Sequence, residues 1–304
     1  MSARRPIPAP DRPAGEPAGR AESPLAPGLY LVATPIGNLR DITLRALDVL
    51  AAADLVLAED TRVSGKLLAA YGIEAKLERY DDHVADQAGP RILARLAEGA
   101  RIALISDAGT PLVSDPGFRL VQAAVEAGAA VIPVPGASAV LAAVAMAGLP
   151  TDRFLFAGFT PPKSAARRAL FEELRGIRAT LTFYETGPRL ADSLTDMAAV
   201  FGPRPAAVCR EITKLYETCV RGRLDLLAVN PRMQAPRGEI VVLVGAGVRE
   251  EAGEAEVDRA LTDALSRLGP SEAAAEVAHA LGLPRRDLYR RALAMRAHAQ
   301  EAAA

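Results

Sequence analysis

Short apolar runs, each closed by a proline, a glycine or a carboxylate, alternate along this chain with stretches whose leucines and alanines recur every three or four residues. The first pattern predicts strands buried on both faces, and the second predicts amphipathic helices. In the first half the expected strands are Leu29–Thr34, Asp54–Ala58, Arg101–Ser106 and Ala130–Pro133. Helices are expected at about Thr43–Ala53, Ser64–Tyr71, Ala85–Glu98 and Phe118–Ala127, followed by an apolar helix Ala137–Ala147. Strands alternating with helices imply an α/β domain with a largely parallel sheet.

The stretch Gly148-Leu149-Pro150-Thr151-Asp152 reads as a domain junction. Beyond it strands are expected at Arg153–Phe159, Thr180–Tyr184, Ala206–Arg210 and Glu239–Gly245, with helices at Ser164–Gly176 and Arg189–Phe201. A β segment at Thr218–Arg221 beside Ala206–Arg210 suggests a hairpin and a mixed sheet. After Val248 the strands stop. Glu254–Leu268, Ser271–Leu281 and Asp287–Ala297 form a helical trio of helix-turn-helix type. The expected layout is therefore an arm (1–27), two α/β domains (28–150 and 151–248) and a helical module (249–304).

Charge narrows the class of protein. With 36 basic and 37 acidic side chains the net is −1, which excludes a chain that is basic throughout. It does not exclude nucleic acid, because binding depends on where the charge sits. Only Lys66, Lys76, Lys163 and Lys214 are lysine, an arginine bias that reads as genomic base composition. Cys209 and Cys219 are too few for a disulfide framework. His83, His279 and His298 are scattered, and no metal is expected. No apolar run approaches the roughly 18 to 20 residues of a membrane span. Residues 1–27 hold seven Pro, six Ala and two Gly and lack the apolar stretch of a signal peptide, so they read as a disordered arm. A soluble, cytoplasmic protein is expected.

Glycine and proline follow the strands at Thr34-Pro35-Ile36-Gly37-Asn38-Leu39, along the loop Ser106–Gly117, and at Val134-Pro135-Gly136-Ala137-Ser138. In an open parallel sheet ligands bind beyond the carboxyl ends of the strands, and glycine lets them approach the backbone. One such loop would merely turn the chain; three on one sheet edge point to a ligand. There is no GxxxxGK[ST] phosphate loop and no GxGxxG after the first strand. Arg40 is the one cation near these loops. That suits a ligand held by backbone groups and apolar contacts, such as a nucleoside with an amino-acid tail.

These loops, with Arg40-Asp41-Ile42-Thr43 and Ala58-Glu59-Asp60-Thr61-Arg62, resemble the ribosomal RNA small subunit methyltransferase I family of the tetrapyrrole-methylase superfamily. The likeness continues in Gly158-Phe159-Thr160-Pro161-Pro162-Lys163 with Arg167-Arg168, in Phe183-Tyr184-Glu185-Thr186 with Arg189, in Arg210-Glu211-Ile212-Thr213-Lys214, and in Gly238-Glu239. It spans roughly Gly28 to Gly245. It implies two α/β domains with the cofactor cleft between them, S-adenosyl-L-methionine as donor, and 2′-O-methylation of a decoding-centre cytidine in 16S rRNA. A homodimer is usual in that family. The cofactor contacts it implies are Pro35, Gly37, Asn38, Ser106, Asp107, Ala108, Gly109, Thr110, Asp115, Pro135, Gly136, Ser138, Tyr184 and Gly238. Two stretches depart from the family pattern. The usual His-Asp-His-Asn reads Asp81-Asp82-His83-Val84, and a histidine is missing from Thr186-Gly187-Pro188-Arg189.

Methyl transfer from a sulfonium is an in-line displacement, to which positioning alone contributes on the order of 7–11 kcal/mol. A ribose hydroxyl is a weak nucleophile, so a base or a cation near the developing alkoxide helps. Candidates are Lys163, Glu185, Tyr184, Asp82 and Glu59. Lys163 and Glu185 are expected to be catalytic, Lys163 as a phosphate or alkoxide contact, with the base unassigned. A solvated surface lysine is the plain alternative. For Glu59 and Asp60 the alternative is a turn or N-cap carboxylate, for Asp107 and Asp115 an Asx turn, and for His83 an exposed loop residue. RNA needs local positive charge. Pro161–Arg178 carries five basic against two acidic residues, and Pro284–His298 five against one. Arg167, Arg168, Arg286 and Arg290 are the expected RNA contacts. The rivals are a corrin or porphyrin methylase, whose first loop resembles GxGPGD, and a non-catalytic ribosome-assembly protein.

Overall fold

Strands β1 (Gly28–Val32), β2 (Leu55–Ala58), β3 (Leu77–Arg79), β4 (Arg101–Ile105) and β5 (Val131–Val134) form one parallel sheet in the order β3-β2-β4-β1-β5. The structure is a computed structural model that describes residues 25–81, 83–247, 254–281 and 283–301. The expected arm up to residue 24 and the candidate Asp82 lie outside the described residues. The connecting helices are α1 (Leu44–Ala52), α2 (Thr61–Ala70), α3 (Ala85–Ala97) and α4 (Phe118–Glu126). Ala46, Val49 and Leu50 of α1 and Leu68 of α2 cover one face of the sheet, whereas Ile92 of α3 and Leu120 of α4 cover the other. Strands sandwiched in this way lose polar alternation, which is why they read as continuous apolar runs. Thr43 accepts a hydrogen bond from Ala46 N and Asp60 from Arg62 N, so these side chains start α1 and α2. Helix α2 therefore begins three residues before the expected Ser64. Strand β3 went unpredicted: it is three residues long, only partly buried, and pairs with β2 alone.

The sense of the strand connections reverses between the parallel neighbours β1 and β4, since β1 leads one way to β2 and β4 leads the other way to β5. That makes their carboxyl ends the switch point of the sheet, where a crevice opens.

The second sheet comprises β6 (Phe154–Phe159), β7 (Thr180–Thr186), β8 (Pro205–Arg210), β9 (Thr218–Arg223) and β10 (Glu239–Val244), ordered β6-β7-β10-β8-β9. Only β6 and β7 are parallel, and β8–β9 is the expected hairpin. Helices α6 (Ser164–Leu174), α7 (Gly187–Phe201) and α8 (Leu224–Ala228) cover one face. There Phe171 meets Phe183 edge-on at 5.5 Å, a contact worth about 1 kcal/mol beyond the area it buries. The other face is covered by α5 (Ala139–Ala147), which follows β5 and packs Ala143, Val144 and Ala147 against Ala207, Cys209, Val241 and Leu243. Helix α5 thus joins the two sheets, and the first compact unit runs to Ala246.

One expected RNA contact is corrected here. Arg167 is 3% exposed and its guanidinium lies 2.6 Å from Asp196 of α7. It falls on the buried face of α6 with Phe171 and Leu174 and ties α6 to α7, so it is not available to a phosphate. Neighbouring Arg168 also bonds Asp196 but keeps half of its side chain exposed.

A second compact unit starts at Gly247. Helices α9 (Glu254–Leu265), α10 (Pro270–Leu281) and α11 (Arg285–Glu301) bury Val257, Leu261, Ala274, Val277, Leu288 and Ala292 together. Arg291 is committed to Asp258, 2.7 Å away, whereas Arg286 and Arg296 are exposed and Arg290 pairs with Asp287 of its own helix. No helix among the described residues is long and apolar enough to cross a membrane.

Candidate active site

The three glycine-bearing loops are laced together at the switch point. Thr34 and Gly109 exchange backbone hydrogen bonds of 2.8 and 3.0 Å, and the Thr34 hydroxyl donates to Ser106 O at 3.1 Å. The Thr110 hydroxyl donates to Ala137 O at 3.3 Å. The 106–117 loop carries positive φ not only at Gly109 and Gly117 but also at Leu112 (74°) and Ser114 (67°). Such backbone costs about 1–3 kcal/mol per non-glycine residue and persists only where its surroundings enforce it.

Between these loops and the second sheet lies a cavity of about 280 Å³. The first sheet contributes Ile36, Ala108, Gly109, Thr110, Val113, Ser114, Asp115, Ser138 and Ala139. The second contributes Phe159, Tyr184, Ile212, Gly238, Glu239, Ile240 and Val241. Among the described residues no lysine, arginine or histidine lines it, while Asp115, Glu185 and Glu239 do. Burial pushes the Asp115 carboxyl up to about 6, helped by the charges of Glu59 and Asp107. Burial also raises the Tyr184 hydroxyl, with Asp115 and Glu239 adding to the effect. The Tyr184 ring is held edge-on by Phe156 at 4.7 Å and Phe159 at 5.2 Å.

Of the expected cofactor contacts, Ala108, Gly109, Thr110, Asp115, Ser138, Tyr184 and Gly238 line this cavity. The others do not. Pro35 is buried beside the lining residue Ile36, and Asn38 caps the short turn that follows by accepting from Arg40 N. The Ser106 hydroxyl donates to the carbonyls of Ala108 and Gly109 and shapes the loop from beneath. Pro135 is exposed, and Gly136 lets its loop press on Ala33, whose Cβ would stand 3.0 Å from an added Cβ. Gly37 faces Lys214, and Asp107 lines a separate cleft with Glu59, Asp60, Arg62, Arg79, Asp81 and His83.

Glu185 is a correction. Its side chain is wholly buried, and its carboxylate accepts from the hydroxyls of Thr160 and Ser193, from Thr186 N at 2.8 Å and from Arg189 at 2.8 Å. Those four donors fill a carboxylate's acceptor positions, so Glu185 anchors β7 to β6 and α7 rather than taking a proton from a substrate. Pro188 starts α7, and the adjacent Gly187 is obligatory because a Cβ there would stand 1.7 Å from Pro236 O. Asp81 accepts from His83 N and Val84 N and pairs with Arg79.

Lys163 is exposed at the start of α6, four residues beyond Phe159, and its ammonium has no ion pair among the described residues. Sequence reasoning missed Ile36, Val113, Ser114, Ile212 and Glu239, although all five sit inside the motifs it singled out. Ile36, Val113 and Ile212 are apolar and carry no chemical signature, and only the fold reveals that all five face one space.

Residues 28–228 match the family model of tetrapyrrole (corrin/porphyrin) methylases, and residues 251–296 match that of the RsmI C-terminal HTH domain. The chain is 50% identical to ribosomal RNA small subunit methyltransferase I of Mesorhizobium japonicum, over 90% of this chain and 94% of the relative. It is 46% identical to the protein of that name from Escherichia coli O157:H7, over 87% and 94%. Among solved structures, uroporphyrin-III-C-methyltransferase from Thermus thermophilus superposes with a TM-score of 0.51 at 25% identity, over 71% of this chain and 93% of that one. Diphthine synthase shares the fold, with a TM-score of 0.56 at 16% identity.

Proposed function

This chain belongs to the tetrapyrrole methylases and, within them, to the ribosomal RNA small subunit methyltransferase I family, and we propose that it methylates the ribose 2′-hydroxyl of a cytidine in 16S rRNA with S-adenosylmethionine as donor. The observation that carries the donor assignment is the cavity's lining: Asp115 is its carboxylate without an ion pair among the described residues, while Glu185 is taken by Arg189 and Glu239 by Lys214. Such a wall disfavours a nucleotide phosphate and favours a cation. S-adenosylmethionine would supply an electrophilic methyl carbon on a permanently positive sulfur. Asp115 offsets that charge, and the Gly109 backbone and the hydroxyls of Thr110 and Ser138 offer hydrogen bonds to a polar tail. Ile36, Val113, Ile212 and Val241 form the apolar wall that keeps water out.

Lys163, exposed four residues beyond the lining residue Phe159 and without an ion pair among the described residues, meets the RNA backbone or the developing alkoxide. Arg168 adds a phosphate contact, and Arg286 and Arg290 of the helical unit add others. The exposed arginines of that unit favour RNA over a tetrapyrrole acceptor. The work is done in the cytoplasm on the small ribosomal subunit, by a homodimer. Calorimetric titration with S-adenosylmethionine tests the donor assignment: saturable binding is expected, and no heat at millimolar donor contradicts it.

A further inference from the structure

A second cleft, of about 720 Å³, opens on the same edge of the first sheet as the cavity. The cavity lies over β4, β1 and β5, whereas the cleft lies over the carboxyl ends of β3, β2 and β4. The two meet on one loop: Asp107 lines the cleft, while Ala108 and Gly109 line the cavity. Resting on the RNA methyltransferase reading above, we propose that this cleft is the acceptor subsite, which holds the ribonucleoside that receives the methyl group.

The chemistry of the walls selects that ligand. Glu59, Asp60, Asp81 and Asp107 face Arg62 and Arg79, so the cleft is polar, of mixed sign and acidic on balance. Its size is that of a small-ligand pocket, about 300–1,000 Å³. An acidic balance disfavours a phosphodiester or a multiply carboxylated tetrapyrrole at its centre. A nucleoside offers both complements: ribose hydroxyls and a ring amine donate to carboxylates, and a ring carbonyl and nitrogen accept from guanidinium groups.

The two arginines are set up for such a partner. Arg62 Nε lies 3.0 Å from Asp60, and Arg79 Nε lies 2.7 Å from Asp81, yet their side chains remain 86% and 63% exposed. Each guanidinium is fixed by its carboxylate through Nε while most of the side chain stays exposed, which suits the stacking of an unstacked base. Asp107 accepts from Asp60 N at 3.1 Å, which fastens the shared loop to the start of α2. In-line displacement needs the attacking oxygen and the departing sulfur on opposite sides of the methyl carbon. The acceptor must therefore adjoin the donor cavity, as this cleft does at Asp107.

Arg62→Ala and Arg79→Ala test the assignment, with thermal melting to confirm folding. Donor affinity is read by calorimetry, RNA affinity by filter retention with S-adenosylhomocysteine present, and transfer by labelled methyl incorporation into small-subunit RNA. Donor affinity should stay within about twofold, while kcat/KM for RNA falls about tenfold or more, the cost of losing a charged hydrogen bond. Unchanged RNA binding and transfer in both variants would overturn the proposal, as would loss of donor affinity with RNA kinetics intact. Wild-type protein that binds donor but methylates no RNA would instead remove the functional reading, and this assignment with it.

Discussion

The aliphatic chain of Lys214 lies where a side chain on residue 37 would stand: a Cβ on Gly37 would be 2.4 Å from Lys214 Cγ and 2.7 Å from Cε. Lys214 Nζ reaches Glu211 at 3.0 Å and Glu239, in the cavity wall, at 2.7 Å. Glu211 in turn fills the space a Cβ on Gly238 would need and accepts from Glu239 N at 3.0 Å. The first loop is thus latched to the second sheet. Gly37→Ala should displace Lys214 and cost about 1–3 kcal/mol of stability, the range for overpacking. Denaturant unfolding reads the loss.

Asp115 should make donor binding depend on pH. Its carboxyl is held at about 6 by burial and by Glu59 and Asp107, above the ordinary 3.8. Between those values the folded chain binds more protons than the unfolded one, so this group's contribution to stability falls as pH rises from 3.8 to about 6. Donor affinity runs the other way, rising through about pH 6 as the carboxylate forms to face a cation. Titrations from acid to neutral pH should show that rise in the wild type and a flat profile in Asp115→Asn.

Arg167 and Arg168, adjacent in sequence, should separate cleanly. Removing the buried Arg167 leaves Asp196 with Arg168 and Ser164 as partners, and the loss should be about 3 kcal/mol, the lower end for a broken buried pair. The slope of log affinity for RNA against log salt should not change. Arg168→Ala should leave stability nearly intact and reduce that slope by about one, the signature of a lost phosphate contact.

Lys163 stands outside the cavity, so Lys163→Ala should leave donor affinity intact. Methyl transfer should fall about a hundredfold or more, the scale for removing a group that stabilises developing negative charge. Equal loss of both would move Lys163 to the donor side.

The loops of the first sheet and its strands other than β3 were legible because sandwiched strands read as apolar runs and because Gly and Pro mark their ends. Arg167 carried a signal that went unused: with Phe171 and Leu174 it repeats at helical spacing on the buried face of α6. Glu185 carried none. Its fate depends on Thr160 and Ser193, which reach it only once β6, β7 and α7 assemble. Gly37 was expected to let a cofactor approach the backbone. Yet the atoms that crowd it belong to Lys214, a partner no spacing rule connects to it. The acidic cavity was also hidden, since Asp115 and Glu239 meet only across two sheets.

The central claim is tested most directly by incubating the wild-type protein with methyl-labelled S-adenosylmethionine and, in parallel, small ribosomal subunits, naked 16S rRNA and a tetrapyrrole acceptor, then digesting the RNA to nucleosides. Label recovered as 2′-O-methylcytidine from ribosomal RNA is the predicted result. Label on the tetrapyrrole, or none on any RNA despite donor binding, would contradict it.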